Sequence, residues 1–132
     1  MKILLAYDGG IPAGRALELA AQLAKPFDAK VDVLSVVPFH PGRVGIDPWD
    51  DAAVHAGQLA EAKALLAALG IETVLISHAG DPAVTIERVA EQGGYDMVVV
   101  GSRGLGVVSR ALQGSVSEHV ATHSTATVVI AR

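Results

Sequence analysis

The sequence predicts an α/β domain with a doubly wound sheet of five parallel strands flanked by four helices. Short runs of branched apolar residues alternate along the chain with longer segments, rich in Ala and Leu, that have helical period. Gly, Pro and Asp mark most of the junctions between the two kinds of segment. The 132 residues are enough for one hydrophobic core, so we expect residues 1–132 to form a single domain.

The first strand and the first helix are predicted from the start of the chain. Residues 3–7 form a continuous apolar run that stops at Asp8-Gly9-Gly10, which is typical of a strand buried on both faces and ending in a tight turn. Pro12 suits the first turn of the helix that follows. The apolar positions of that helix keep helical spacing up to Pro26, and they are Ala13, Ala16, Leu17, Ala20 and Ala24.

The second and third units repeat this order. Residues 31–37 are predicted to be a strand, and a long helix runs from about Asp51 to Leu69, where Gly70 ends it. Between them, residues 38–50 contain three Pro and two Gly and predict a surface loop. A third strand is predicted at 72–77.

The last part of the chain supplies two helices and two strands. Asp81 is predicted to be the N-cap of a helix with Pro82 at its first position, and Gly93 and Gly94 end that helix. Strands are predicted at 96–101 and 126–131, with a helix from Ser115 to about His123 between them. Strands that alternate with helices of this length pair in parallel through right-handed crossovers. Ligands of such sheets bind beyond the carboxyl ends of the strands, at the point where the winding reverses.

Composition argues against several functional classes. Ten basic and fourteen acidic residues give a formal net charge of −4, which argues against a nucleic-acid partner. There is no cysteine, so neither disulfides nor thiolate chemistry is predicted. The apolar run at the amino terminus has five residues, too few for a signal peptide, and no apolar run reaches the length of a membrane span. We therefore expect a cytoplasmic protein without a membrane partner.

One stretch, from Gly101 to Val120, indicates a ligand site. Gly101 and Gly104 follow the predicted fourth strand, and nine residues later Gly114 and Ser115 precede the predicted last helix. Glycines allow close approach of the backbone to a bulky group, and a helix amino terminus favours an anion. The serines at 115 and 117 add hydroxyl donors, so the spacing favours an extended anion such as a triphosphate. The alternative is structural, because Ser115 with Glu118 also fits a capping box.

Two well-known phosphate motifs do not fit this stretch. A Walker A loop requires a Lys after its last Gly, and here Ser115 follows Gly114. The dinucleotide fingerprint belongs to the first strand of its fold, whereas Gly101 follows the fourth.

The pattern Gly101-x-x-Gly104, nine residues, Gly114-Ser115 resembles the ATP-binding signature G-2x-G-9x-G-[ST] of the universal stress protein (UspA) family. The opening "ILLAYDGG" also resembles the family's first strand and its Asp. The resemblance spans essentially the whole chain. It implies a Rossmann-like fold of the adenine nucleotide alpha hydrolase type, a homodimer paired through the last strand, and ATP bound with Mg²⁺ or Mn²⁺.

The resemblance also implies the residues of an ATP site. Asp8 would lie near adenine or ribose, Val36 beside the base, and Val100 and Gly101 along the pocket wall. The residues around the ribose and phosphates would be Arg103, Gly104, Gly114, Ser115, Val116 and Ser117. No catalytic residue and no protein-held metal is predicted. At the first turn the chain has Gly10 where the family often has Ser, which removes one hydroxyl.

Other residues have simpler interpretations. Asp8 before Gly also suits an Asx turn or a helix cap. His119 and His123 have the i, i+4 spacing of two zinc ligands, but the general base of H-E-x-x-H is missing, so a solvated helix face is predicted. Trp49 is interpreted as a loop anchor.

The sequence is compatible with three functions. The first is an ATP-binding regulatory module of the stress response, which an unidentified protein partner reads. The second is a slow ATPase, for which phosphate donors are present but no base is apparent. The third is a dimeric interaction protein that binds no nucleotide, which the intact glycine spacing disfavours.

Overall fold

The computed structural model confirms the predicted α/β architecture. It describes residues 1–38, 52–102 and 110–132, with the backbone alone for 110–115. The elements are β1 (Lys2–Ala6), α1 (Ile11–Ala24), β2 (Lys30–Val37), α2 (Ala52–Ala68), β3 (Leu75–Ala79), α3 (Pro82–Gln92), β4 (Met97–Gly101), α4 (Arg110–His123) and β5 (Thr127–Ala131), with a 3-10 turn at Lys25–Phe27. The proposed loop at 38–50 lies outside the described residues except for Pro38. None of the helices in the described ranges is long and apolar enough to cross a membrane.

The five strands form one parallel sheet in the order β3-β2-β1-β4-β5. Ile3 of β1 lies opposite Val31 of β2 on one side and opposite Met97 of β4 on the other. The chain therefore adds β2 and β3 on one side of β1. It then crosses the sheet and adds β4 and β5 on the other side of β1. The reversal lies between β1 and β4, where sheets of this kind open a crevice.

The hydrophobic core lies on both faces of the sheet. Ile3, Leu4 and Leu5 of β1 are completely buried. Ile3 and Leu5 face α1 and α2, while Leu4 faces α3 and α4, because successive side chains of a strand point to opposite faces. Each such side chain stabilises the fold by about 1.5–3 kcal/mol relative to the exposed state. The continuous apolar runs in the sequence are thus explained by helices on both faces.

Several local signals in the sequence have the predicted effect. Pro12 lies in the first turn of α1, and Gly70 follows α2 with a φ of +77°, a conformation that favours glycine. Asp81 is the N-cap of α3, where its Oδ2 accepts a hydrogen bond from the Val84 amide at 3.0 Å. Pro82 occupies the first turn of the same helix, where a missing amide proton costs nothing.

The predicted start of the last helix is wrong. Helix α4 begins at Arg110, five residues before Ser115. Residues 110–113 are Arg, Ala, Leu and Gln, all strong helix formers, and they extend the helix backwards through Gly114 despite a cost of about 1 kcal/mol for an interior glycine. Ser115 is therefore not an N-cap, and the proposed capping box with Glu118 is not formed at a helix end.

A polar cluster joins the amino ends of four strands, β1, β2, β3 and β4. The Tyr95 hydroxyl donates to Oδ2 of the buried Asp32 at 2.6 Å, and the Val74 amide donates to Oδ1 of the same carboxylate at 3.2 Å. The ammonium group of Lys2 lies 4.5 Å from the centre of the Tyr95 ring. Burial and the Asp32 carboxylate together raise the pKa of Tyr95 well above its usual value.

We expect Tyr95→Phe to lower the free energy of unfolding by about 1–2 kcal/mol at pH 7, because Asp32 then loses its shortest hydrogen bond. The pKa of Tyr95 is higher in the folded than in the unfolded chain, so its stabilisation is complete below pH 10 and is lost as the pH rises through the folded value. Urea unfolding of both proteins between pH 7 and 11 measures this. The stability difference between them should shrink above pH 10, and a constant difference would contradict the assignment.

Candidate functional site

The candidate site lies at the carboxyl edge of the sheet, where β1 and β4 end side by side. Leu5 of β1 pairs with Val99 of β4, so the chain leaves both strands at the same edge. Beyond β1, the Tyr7 amide donates to the Leu34 carbonyl at 2.9 Å. Beyond β4, the Ser102 amide donates to the Ala131 carbonyl at 2.8 Å. The two turns therefore border the crevice that the winding reversal creates.

Asp8 forms the Asx turn that its sequence context allowed. Its Oδ1 accepts a hydrogen bond from the Gly10 amide at 3.0 Å, and Gly9 between them has a φ of +79°. Helix α1 begins at Ile11, directly after this turn, so its first amides lie at the same edge. The half-buried Asp8 thus lies at the crevice with its Oδ1 turned back to the Gly10 amide. The turn role is observed, and a role toward a ligand stays a prediction.

The phenol of Tyr7, next to Asp8, is held in its neutral form. Burial raises its pKa, and the negative charges of Glu61 and Asp8 raise it further. Tyr7 is 5% exposed. At neutral pH it therefore carries no negative charge and keeps its proton for donation.

Gln58 of α2 packs directly on Gly9, a contact that sequence reasoning missed. A Cβ atom at Gly9 would lie 2.8 Å from Cγ, Cδ and Nε2 of Gln58. The Gln58 Oε1 atom is buried and has no hydrogen-bond partner in the described structure. Gln58 shares the buried stripe of α2 with His55, Leu59, Ala62 and Leu66. A glutamine at helical spacing among these apolar residues is the sequence signal that could have identified this contact.

His55 is a second polar residue of α2 that the sequence did not single out. It is 1% exposed, and its Nδ1 lies 2.6 Å from the hydroxyl of the fully buried Ser35 in β2. A buried polar pair of this kind is satisfied by its own hydrogen bond. It fixes the position of α2 on the sheet near the crevice.

Gly101 is required by packing between β4 and α1. A Cβ atom there would lie 2.9 Å from the carbonyl carbon, the carbonyl oxygen and Cβ of Pro12. Two of these three are backbone atoms, which cannot move aside as a flexible side chain can. The first glycine of the Gly101-x-x-Gly104 pattern therefore has a structural role in addition to any role toward a ligand.

The structure describes the other predicted site residues to different extents. Val36, Val100 and Val116 pack against the core between the sheet and helices α3 and α4. Ser117, on the same helix as Val116, is 4% exposed. Arg103 and Gly104 lie outside the described residues. Gly114 and Ser115 lie within the first turns of α4, where the backbone alone is described.

Comparison with known proteins decides the family. The model of the universal stress protein family matches residues 1–132. The chain belongs to the universal stress protein family. It is 32% identical over 149 residues to the universal stress protein YxiE of Bacillus subtilis, an alignment that covers 99% of this chain and 98% of the relative.

Solved structures of universal stress proteins share the fold. One, a universal stress protein in complex with cAMP, has a TM-score of 0.78 and 23% identity, with 100% of this chain and 97% of the other covered. Another, from Archaeoglobus fulgidus in complex with dAMP, has a TM-score of 0.77 and 21% identity, with 100% and 98% covered. The five-stranded parallel sheet with four helices is thus the universal stress protein fold.

The contact between Gly9 and Gln58 predicts a specific energetic coupling. Gly9→Ala should destabilise the protein by about 1–2 kcal/mol through its positive φ, and by about 1 kcal/mol more through overlap with Gln58. Gly70→Ala is the matched control, because Gly70 has a φ of +77° and nothing within 4 Å of the added atom. Urea unfolding of the single variants and of Gly9→Ala with Gln58→Ala measures the coupling.

In the double variant, the cost of Gly9→Ala should fall to the cost of Gly70→Ala. If Gly9→Ala lowers the free energy of unfolding equally in the presence and in the absence of the Gln58 side chain, the added methyl group does not contact Gln58.

Proposed function

We propose that this universal stress protein binds ATP at the crevice between the β1 and β4 turns and acts as a nucleotide-dependent regulatory module of the cytoplasmic stress response. The observation that carries the proposal is the common edge at which Asp8, the start of α1 and Gly101 meet. The complexes of two relatives with cAMP and dAMP support an adenine nucleotide as the ligand class. Residues 1–132 act in this proposal as one domain.

The proposed residue roles follow the family signature. Asp8 accepts from a ribose hydroxyl, Val36 lies beside the base, and Val100 with Gly101 forms the wall. The groups around the ribose and phosphates are Arg103, Gly104, Gly114, Ser115, Val116 and Ser117. Mg²⁺ or Mn²⁺ binds through the phosphates, as Mg²⁺ usually does in nucleotide sites, rather than in a cage of protein ligands.

The observed start of α4 shifts one part of this proposal. The amides without a partner inside the helix belong to its first turn, which begins at Arg110, and not to Ser115. The end of α4 that favours an anion therefore lies at Arg110, about one turn before Ser115.

Binding is favoured over hydrolysis by the groups at the crevice. Asp8 already accepts a hydrogen bond from the Gly10 amide, and Tyr7 keeps its proton. In this proposal Asp8 holds the ribose and Tyr7 is a proton donor, so neither is assigned as the base that would activate water. Slow ATP hydrolysis is the alternative within the same site, and no catalytic residue is assigned.

A second candidate is a dimeric interaction protein without nucleotide. It is favoured by Gly101, because contact with Pro12 explains this glycine without any ligand. The two candidates differ in one measurable property, the affinity for adenine nucleotides.

The test is calorimetric titration of stripped protein with ATP, AMP and cAMP, with and without Mg²⁺. We expect ATP to bind, and Asp8→Asn to weaken it at least tenfold, because an asparagine keeps the Asx turn but loses the carboxylate. Asp96→Asn is the matched control, since Asp96 accepts from the Lys2 amide at the opposite edge of the sheet. Its affinity should equal that of the unaltered protein.

Absence of binding by all three nucleotides would reject the nucleotide module in favour of the interaction protein. Equal affinity of Asp8→Asn and the unaltered protein would remove Asp8 from the site. Release of phosphate from bound ATP, followed over hours, would favour the slow ATPase.

We further propose that the chain forms a homodimer through β5. This strand ends one side of the sheet, and its Val128, Val129 and Ile130 are each only half-buried. An edge strand with branched apolar side chains is suited to a second copy of the chain. An unidentified protein partner would then read the dimer.

Light scattering after gel filtration should give twice the 13.5 kDa of one chain. Val129→Lys should give the mass of one chain, because a charge on an edge strand disfavours pairing. Val74→Lys is the control near the other edge, where Val74 is 46% exposed, and it should stay dimeric. A monomeric mass for the unaltered protein at about 100 μM, well above typical dimer dissociation constants, would contradict the proposal.

A further inference from the structure

Helices α3 and α4 bring three potential metal ligands together on the protein surface. Glu87 of α3 and His119 and His123 of α4 each place one ligand atom within 4.8 Å of the other two. Within the part of the chain that the structure describes, these three residues are the group that could hold a metal ion. It lies on the outer side of the α3–α4 pair, and none of its members belongs to the proposed nucleotide site. The sequence showed the two histidines but not the carboxylate that the packing of α3 adds.

The hydrogen bonds of the two imidazoles fix which ring nitrogen is available. The Nδ1 atom of His123 lies 2.9 Å from the backbone carbonyl of His119, which can only accept, so this Nδ1 carries the proton. The Nδ1 atom of His119 lies 2.5 Å from Oε1 of Glu87, and an ionised carboxylate also only accepts. In both neutral rings the lone pair is therefore on Nε2.

This arrangement is the one that metal-binding histidines usually have. Such a histidine donates its other ring N–H to a carboxylate or a backbone carbonyl, which fixes the ring and increases its basicity. Here one ring has the carboxylate and the other has the carbonyl. The two rings are also stacked, with centroids 4.1 Å apart and planes 20° from parallel. These hydrogen bonds leave Nε2 of each ring for a metal, but the rings are nearly parallel, so one ring must turn before both Nε2 atoms point at the same ion.

We propose that Glu87, His119 and His123 form a binding site for a divalent late transition metal such as Zn²⁺. The Nε2 atoms of the two histidines are the nitrogen ligands, Glu87 orients His119 and adds negative charge, and water completes the coordination. Imidazole favours Zn²⁺, Cu²⁺ and Ni²⁺ over Mg²⁺ and Ca²⁺. The site is therefore distinct from any ion that accompanies a nucleotide.

The ligand separation requires a modest adjustment. Ligand atoms of a tetrahedral zinc site lie about 3.3 Å apart, given zinc–nitrogen distances near 2.0–2.1 Å. In the structure, one ligand atom from each of the three residues lies within 4.8 Å of the other two, which is a larger separation. The His119 side chain is 43% exposed and that of Glu87 is 21% exposed, so in this proposal the two side chains turn together, with their hydrogen bond kept, to bring Nε2 of His119 to the ion. Both nitrogen ligands of this site lie on α4, and α3 contributes through the hydrogen bond between His119 and Glu87.

The experiment is titration of the protein, purified without a histidine tag, with Zn²⁺ by calorimetry and with Co²⁺ by visible absorption. We expect one metal per chain. His119→Gln and His123→Gln should each weaken binding at least tenfold, and Glu87→Gln should weaken it about 10–100-fold, the range for such carboxylate partners of ligating histidines. Saturating Zn²⁺ should also raise the Tm of the unaltered protein and not that of His123→Gln.

Two variants serve as matched controls. Glu91→Gln removes the same charge from the next turn of α3, and His78→Gln removes an exposed imidazole from the end of β3. Both should bind Zn²⁺ and Co²⁺ like the unaltered protein. A loss of less than tenfold in His119→Gln or His123→Gln, equal losses in the controls, or no binding by the unaltered protein would overturn the proposal. Because the readouts use metal alone, failure here leaves the test of nucleotide binding unaffected.

Discussion

The parallel pairing of β1 with β4 is the constraint on which the rest of the structure depends. It places two strands that are more than ninety residues apart in the sequence side by side, and it reverses the direction of winding. The turn after β1 and the turn after β4 therefore open at one edge. Helix α1 starts at that edge and approaches β4 so closely that Gly101 has no room for a side chain beside Pro12. Site geometry and core packing are thus set by the same contact.

Two of the glycines at this edge of the sheet are required by the fold itself. Gly101 is explained by packing, and Gly9 by its positive φ and by the Gln58 side chain that covers it. A glycine pattern that fits a phosphate site also contains glycines that the fold needs without a ligand. The glycines alone therefore do not distinguish a phosphate site from a packing requirement of the fold.

The sequence predicted the order of all nine elements because each depends on local signals. Buried strands appear as continuous apolar runs, and Asp81, Pro82 and Gly70 end or begin helices by backbone chemistry alone. The predicted start of α4 is wrong because Gly114 and Ser115 resemble a helix boundary, while residues 110–113 favour helix strongly enough to override it. Asp8 was placed correctly in its turn. The contacts of Gln58 and Glu87 were not predictable, since they arise when separate helices pack.

The buried face of helix α2 carries two polar side chains that differ in their hydrogen bonding. His55 and Gln58 both carry polar atoms into the interface with the sheet, but His55 is satisfied by Ser35, whereas Oε1 of Gln58 has no partner in the described structure. An unsatisfied buried polar atom costs about 1–3 kcal/mol. The apolar members of the stripe and the hydrogen bond between His55 and Ser35 hold α2 on the sheet, while Gln58 covers the Gly9 turn. One helix therefore contacts both the hydrophobic core and the turn that borders the crevice.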